Sequence, residues 1–366
     1  MRKSCKYRVI AITVLACVLL TKSKCEILHG MKTPNQNLLI ISIFLATCIM
    51  VFIHKFLFPL YDTMPKKKEV KFLGDFEQSL CTTNLKPVRV PLLWKHHCPK
   101  DGIVTVAQGG RLGNQMWEYA STWAVARRTG LEPYVPRCIR KVLDEVFEDL
   151  SIPPLGYVSH CPAKWDTFVR SPEFWSYTNQ SILLPRFAVL PDLVLTWADD
   201  IRHEFRFKRR LVEASQKVLE TANQLLNSTA LVYVGIHVRR TDYRDYLWRT
   251  HGMLLAGEDF FIEAMNYFRK KFSGNVAFLV VSDDPGWCQR NLLKSYSDVF
   301  VVSKGGVTSP GQDLAVMAAC NHSIIDYGTF GVWGAILASG ETILYNVTRH
   351  SSIRVSELLP NWHIRN

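Results

Sequence analysis

The chain has 366 residues, of which 48% are hydrophobic, 11% aromatic and 21% charged, with a mean hydropathy of +0.02. That balance excludes both a disordered polyampholyte and a polytopic transporter, and the length accommodates one large domain or two modest ones. The formal charge of +12 is concentrated: residues 1–71 hold twelve Lys or Arg against Glu26, Asp62 and Glu69, and the remaining 32 basic and 29 acidic residues leave only +3, which weakens a nucleic-acid reading.

Two apolar runs open the chain. Val9–Leu20 covers about 18 Å as a helix, too little for a hydrocarbon core of about 30 Å, whereas Leu38–Phe58 reaches that thickness with Lys55 snorkelling. The second run is therefore expected to be an uncleaved transmembrane signal anchor (38–58) behind a short tail (1–37), with Met31 as a candidate start. Counting basic residues on either side would put the large domain in the cytosol. Against that, six cysteines follow the anchor (Cys81, Cys98, Cys138, Cys161, Cys288, Cys320), as do four acceptor sequons at Asn179, Asn227, Asn321 and Asn346, and both suit an oxidising lumen. The Lys- and Pro-rich stretch 59–100 reads as a stem.

From Ile103 strands and helices alternate. Ile103–Val106 reads as a buried strand, Gly109–Gly113 as a tight loop, and Met116, Ala120, Trp123 and Ala124 follow at helical spacing. The Pro- and Trp-rich middle, 133–197, resists assignment. Beyond it, strands are expected at Leu231–Val238, Val276–Val281, Asp298–Val302, Ser323–Ile325 and Thr342–Tyr345, with helices at Glu258–Phe272, Gln312–Cys320 and through Trp333–Leu337. This alternation implies an α/β fold with a parallel, doubly wound sheet, whose ligands bind beyond the carboxyl ends of the strands.

Three stretches sit where such a fold keeps its chemistry. His237-Val238-Arg239-Arg240-Thr241-Asp242-Tyr243 follows a strand and offers two guanidinium groups to phosphate oxygens, although a solvated loop with an Arg–Asp pair is about equally expected from spacing. Gly109 to Gln115 places glycines between strand and helix, where backbone N–H groups approach an anion, yet it is neither a Walker sequence nor a dinucleotide fingerprint. Cys320 to Gly334, including Asn321, His322, Thr329 and Phe330, runs from a short strand through a Gly-Thr turn into a helix; ordinary αβ packing is the bland alternative. Trp165, Trp175 and Trp197 are more often core than sugar platforms.

Together these stretches resemble the galactoside α-1,2-fucosyltransferase family. The resemblance rests on Gly110-Arg111-Leu112-Gly113-Asn114-Gln115-Met116 with Glu118-Tyr119-Ala120, on Val234–Tyr243, and on Asp313 through Leu337. Val281-Ser282-Asp283-Asp284 with Trp287, and Leu359-Pro360-Asn361-Trp362, extend it over about 103–362; Thr241 stands where many members have Gly. The resemblance implies two Rossmann-like lobes (GT-B-like, 101–228 and 229–366), a single-pass type II Golgi membrane protein with a lumenal catalytic domain, and inverting transfer from GDP-fucose to galactose-terminated glycans. It also implies that no metal is required, consistent with a chain lacking Asp-x-Asp. On this basis Arg239, Arg240 and Asp242 are expected to be catalytic. Asn114, His237, Asp283, His322, Thr329 and Phe330 join the arginines in donor binding, with Asp283 and Glu118 as alternative bases to Asp242. A protein O-fucosyltransferase and a membrane-tethered GDP-fucose or glycan-binding protein without turnover are the competing readings.

Overall fold

The computed structural model describes residues 72–83, 85, 95–163, 168, 180–228, 230–293, 296–303, 309–347 and 350–366. The apolar run 38–58, the sequon at Asn179, Trp165 and Trp175 lie outside these residues. No helix among the described residues is long and apolar enough to cross a membrane.

Part of the stretch read as stem is built into the folded unit. Leu73–Leu80 (α1) buries Leu73, Phe76 and Leu80. Its Glu77 carboxylate is fully buried and accepts from the backbone N–H and the Nε of Arg137, both at 2.7 Å. Two disulfides, Cys81–Cys138 and Cys98–Cys161, tie the same stretch to residues some sixty positions later. Sequence composition could not reveal this, because every one of these partners is remote. Cys288 and Cys320 are buried free thiols.

Ile103–Val106 (β1) is apolar without alternation and buried on both faces, as a strand covered on two sides requires. It leads into Leu112–Thr129 (α2), a helix buried on nearly all sides from Leu112 to Ala126. Glu132–Pro133 (β2) and, after Arg137–Leu143 (α3), Ile182–Leu184 (β3) pair with β1 in parallel, giving the order β2-β1-β3. Short helices Pro191–Val194 (α4) and Ala198–Glu204 (α5) follow.

Arg209–Leu226 (α6) is an amphipathic helix that the sequence reading leaves unassigned and places, by its boundary at 228, with the first lobe. It packs instead against the second sheet, where Ala222 joins Ala277, Leu279 and Val316. Asn227 caps its end in a left-handed conformation and is exposed.

The second sheet contains six parallel strands. They are Val232–Val238 (β4), Val276–Ser282 (β5), Val299–Val301 (β6), His322–Ile325 (β7), Thr342–Tyr345 (β8) and Trp362–Arg365 (β9), in the order β6-β5-β4-β7-β8-β9. Relabelled from its first strand, this is the doubly wound order 3-2-1-4-5-6, whose direction of winding reverses between β4 and β7. The intervening helices are Tyr243–His251 (α7), Glu258–Lys271 (α8), Pro285–Asn291 (α9), Pro310–Ala319 (α10), Thr329–Ala338 (α11) and Ser351–Leu358 (α12).

Among the described residues only the second sheet has this order; the first has three strands, so the expectation of two Rossmann-like lobes holds for one sheet in full. The two sheets also share a hydrophobic core. One cluster runs from Val104 and Val106 through α2 to Trp333 and Leu344. Within it Trp117 lies 4.8 Å from Trp333, which Phe205 meets edge-on at 5.0 Å. Aromatic anchors of this kind contribute on the order of 3–5 kcal/mol each when buried, so α2 is held firmly against α11.

Candidate active site

The firm packing of α2 on α11 brings two helix N-termini to one place. Gly113 in the first turn of α2 approaches the start of α11 so closely that a Cβ there would lie 2.6 Å from the Phe330 nitrogen. Only glycine fits that contact. Beside it the Thr329 hydroxyl donates to Asn114 Oδ1 at 2.9 Å, latching the two turns together. Neither helix carries a side-chain N-cap, so both present unsatisfied N–H groups and the positive end of a dipole to the same space.

That space is a cavity of about 490 Å³ at the carboxyl ends of β4 and β7, where the winding reverses. His237 and Arg239 reach it from β4 and the residues after it, Ser282 and Asp283 from β5, and Thr329 and Phe330 from α11. Gly110, Arg111, Gly113 and Asn114 close it from the first sheet, and Asp242, Tyr243 and Asp313 complete the wall.

Arg239 is oriented by carboxylates. Its guanidinium pairs with Asp242 and, at 2.9 Å, with Asp283, and its side chain is only 18% exposed. Asp283 is itself fixed, accepting from the backbone N–H groups of Arg240 (2.8 Å) and Thr241 (3.2 Å) and from the Thr241 hydroxyl. Burial pushes the Asp283 carboxyl up, but the Thr241 and Arg240 bonds and the Arg239 charge outweigh it and leave the group below the usual carboxylate range. Asp242 is half exposed and reaches across the cavity to Arg111 at 3.0 Å. Arg111 therefore supplies a second guanidinium from the opposite wall.

His237 is held by a residue that the sequence reading misses. Its Nδ1 lies 3.2 Å from Asp326 Oδ1, both side chains being buried, and its ring packs on Phe330. Asp326 also accepts from the backbone of Arg239 (2.6 Å) and Tyr327 (2.7 Å). Burial raises its pKa, opposed by the His237 contact and these backbone bonds. With Nδ1 engaged by the carboxylate, Nε2 is the ring nitrogen left for the cavity. The available sequence signal was position: Asp326 directly follows β7, as Arg239 follows β4.

Two expected site residues lie elsewhere. The Arg240 guanidinium stacks over the Trp287 ring at 3.8 Å, and its Nη1 donates to the Ala256 carbonyl, so it turns away from the cavity. Side chains alternate along an extended segment, which directs His237 and Arg239 to one face and Arg240 to the other. His322 begins β7, at the opposite end of the sheet from Asp326. Its ring stacks against both Phe268 and Phe272, its Nδ1 accepts from the Glu341 N–H, and burial lowers its pKa. Glu118, an alternative base by sequence, is buried on α2 and does not line the cavity. Trp197 packs edge-on against Trp123.

Among the described residues the one cluster with metal-ligand chemistry is Cys98, His160 and Cys161, remote from the cavity in sequence and committed to a disulfide through both thiols. What the cavity offers an anion is two guanidinium groups, an imidazole held by a carboxylate, and two helix N-termini, set among the carboxylates of Asp242, Asp283 and Asp313.

Known proteins resemble this chain over most of its length. The family model Glyco_transf_11, described as Glycosyl transferase family 11, matches residues 78–365. Galactoside alpha-(1,2)-fucosyltransferase 2 of Pongo pygmaeus is 31% identical over 274 residues, 71% of this chain and 78% of that one. The protein of the same name from Bos taurus is 28% identical over 327 residues, covering 86% and 92%. Galactoside 2-alpha-L-fucosyltransferase SEC1 of Bos taurus is 30% identical over 258 residues, 69% of each chain. Among solved structures, a mutant of Arabidopsis thaliana FUT1 in complex with GDP is similar with a TM-score of 0.46 at 13% identity, covering 68% of this chain and 70% of that one.

Proposed function

Because this chain belongs to glycosyl transferase family 11, we propose that it transfers L-fucose from GDP-fucose to O2 of a terminal galactose, with inversion at the anomeric carbon. The observation that carries the reading is the convergence of Arg239, His237 and two helix N-termini on one cavity at the sheet's reversal point. In the reaction the galactose 2-oxygen bonds to fucose C1 as the bond from C1 to the β-phosphate oxygen breaks, and GDP departs with the bonding pair. The hydroxyl proton passes to a base or solvent.

The difficult step is the growth of negative charge on the diphosphate, so preorganised donors aimed at it dominate the rate. Arg239 is assigned to that charge, with its two carboxylate partners fixing the fork before substrate arrives. His237, the Thr329–Phe330 backbone and Asn114 are assigned to donor positioning, and Arg111 is added from the facing wall. Asp242 is the half-exposed carboxylate beside both arginines and the acid best placed for the acceptor proton. Divalent metal is not needed in this scheme, since the arginines and helix dipoles supply the compensating charge. Activity is expected to survive EDTA; complete loss restored by manganese would contradict it.

We place the enzyme as a type II Golgi membrane protein with residues 38–58 as anchor. Two disulfides in the folded unit support an oxidising compartment, and exposed Asn227 and Asn321 suit lumenal glycosylation. A glycosidase-sensitive mass shift is the expected result.

The test of activity is GDP release by the full chain in detergent, with GDP-fucose and a panel of galactosides, followed by NMR of the product. Galactoside-dependent release and fucose on galactose O2 are expected. Release only with folded protein acceptors would mark an O-fucosyltransferase, and GDP-fucose binding without release a non-catalytic binder.

A further inference from the structure

Phe187 follows β3 with a backbone φ of +59°, a left-handed conformation that a bulky side chain rarely adopts, and the residue is 51% exposed. Several contacts hold it there. Its N–H donates to Glu118 Oε1 at 2.9 Å, and the Gly109 backbone bonds the same carboxyl. The Arg186 guanidinium donates to the Gln108 carbonyl, joining the loop after β3 to the loop after β1. The phenyl ring packs on Gly109, where an added Cβ would lie 3.0 Å from ring Cε1. The next two residues, Gly110 and Arg111, line the cavity.

A fully buried glutamate thus fixes Phe187 in a strained backbone conformation against Gly109, the residue before the two that line the cavity. Core packing does not require this, because the residue is exposed and belongs to none of the buried clusters. A strained backbone that holds an exposed ring beside a cavity loop suits a ligand-binding role. Arg239, Asp242 and Asp283 on the second sheet and Arg111 on the facing loop carry charge around the cavity, and the Phe187 ring is an exposed apolar group beside that loop, free to meet a neutral partner. Galactose presents, on the face carrying H3, H4 and H5, an apolar patch that matches an aromatic ring.

We propose that Phe187 is the stacking platform for the terminal galactose of the acceptor, and that Glu118 is the residue that positions it. The proposal rests on the fucosyl-transfer reading above. It predicts a role in acceptor binding with none in donor binding.

The experiment is steady-state kinetics of the full chain with lactose as acceptor, comparing Phe187→Gly, Phe187→Ala and Phe187→Tyr. Glycine adopts the left-handed conformation freely, so that variant keeps the fold. Phe187→Gly and Phe187→Ala are expected to raise the lactose KM about tenfold, with GDP-fucose KM and acceptor-independent GDP-fucose hydrolysis unchanged; Phe187→Tyr restores the lactose KM. A lactose KM within twofold of wild type in Phe187→Gly overturns the platform while leaving the function standing. Equal losses for donor and acceptor that tyrosine does not repair assign the residue a structural role and overturn it as well. A wild-type chain that transfers to no galactoside overturns the function, and the platform with it.

Discussion

The two ends of the six-stranded sheet carry similar residues and do different things. At the amino end, the Glu341 carboxylate accepts from Lys271, Tyr267 (2.5 Å) and His363 (3.0 Å), while His322 stacks against Phe268 and Phe272. At the carboxyl end, His237, Arg239, Asp242, Asp283 and Asp326 form a comparable set of pairs. The difference is what surrounds them. Charges at the amino end are consumed by each other, and none of Lys271, Tyr267, His322, Glu341 and His363 lines the cavity described above. At the carboxyl end α2 and α11 point their N-termini inward, and glycine at 113 lets them meet over an open volume. Residue type therefore does not define the site; its position along the strand does. His322 and Asp326 stand four residues apart, roughly 13 Å along an extended chain, and that distance separates a packing histidine from the carboxylate that holds His237 at the cavity.

The largest effect belongs to Arg239. Arg239→Lys keeps the charge and loses the planar fork, so kcat should fall about 10²–10³-fold with the acceptor KM little changed. Stopped GDP-release assays on a variant with wild-type melting behaviour provide the check. A kcat within threefold of wild type would reduce the carboxyl end to a surface ion-pair cluster like the amino end.

Glu118 sharpens the comparison as a buried carboxyl belonging to neither end. Burial pushes it up to about 8 from an ordinary value of 4.5, opposed by its bonds from Phe187 and Gly109 and by the Arg186 charge. Between those values the folded chain holds a proton that the unfolded chain releases, so this group makes stability fall as pH rises from about 4.5 to about 8. Glu118→Gln keeps an acceptor oxygen and should remove that portion of the slope in urea unfolding. An unchanged slope would show that the carboxyl is ionised in the fold.

Arg240 gives the smallest effect and the sharpest contrast with its neighbour. Arg240→Lys loses the stack on Trp287 and part of the bond to Ala256, worth about 0.5–2 kcal/mol of stability, while kcat should stay within threefold. A kcat loss matching that of Arg239→Lys would return Arg240 to the donor site.

Much of the second sheet is legible in sequence because its strands are uninterrupted apolar runs: Thr342–Tyr345 is observed as read, and Val276–Ser282 extends its reading by one residue. The helix Arg209–Leu226 carried a signal that the sequence reading did not use, since Leu211, Val218, Leu219, Ala222 and Leu226 recur at helical spacing between charged and polar residues. Of the adjacent arginines, alternation from His237 was enough to choose Arg239, and that signal lay unused in the sequence. Asp326 was legible by analogy with the end of β4. Phe187 was not, because its exposure depends on Glu118, sixty-nine positions earlier, and on a bare Gly109.

The account stands on the cavity at the carboxyl end being the nucleoside diphosphate site. Calorimetric titration of GDP into the wild-type chain, Arg239→Lys and His322→Ala tests it directly. The expected result is one site per chain, weakened at least tenfold by Arg239→Lys and unchanged by His322→Ala. Equal affinities in wild type and Arg239→Lys, or a loss confined to His322→Ala, would contradict it.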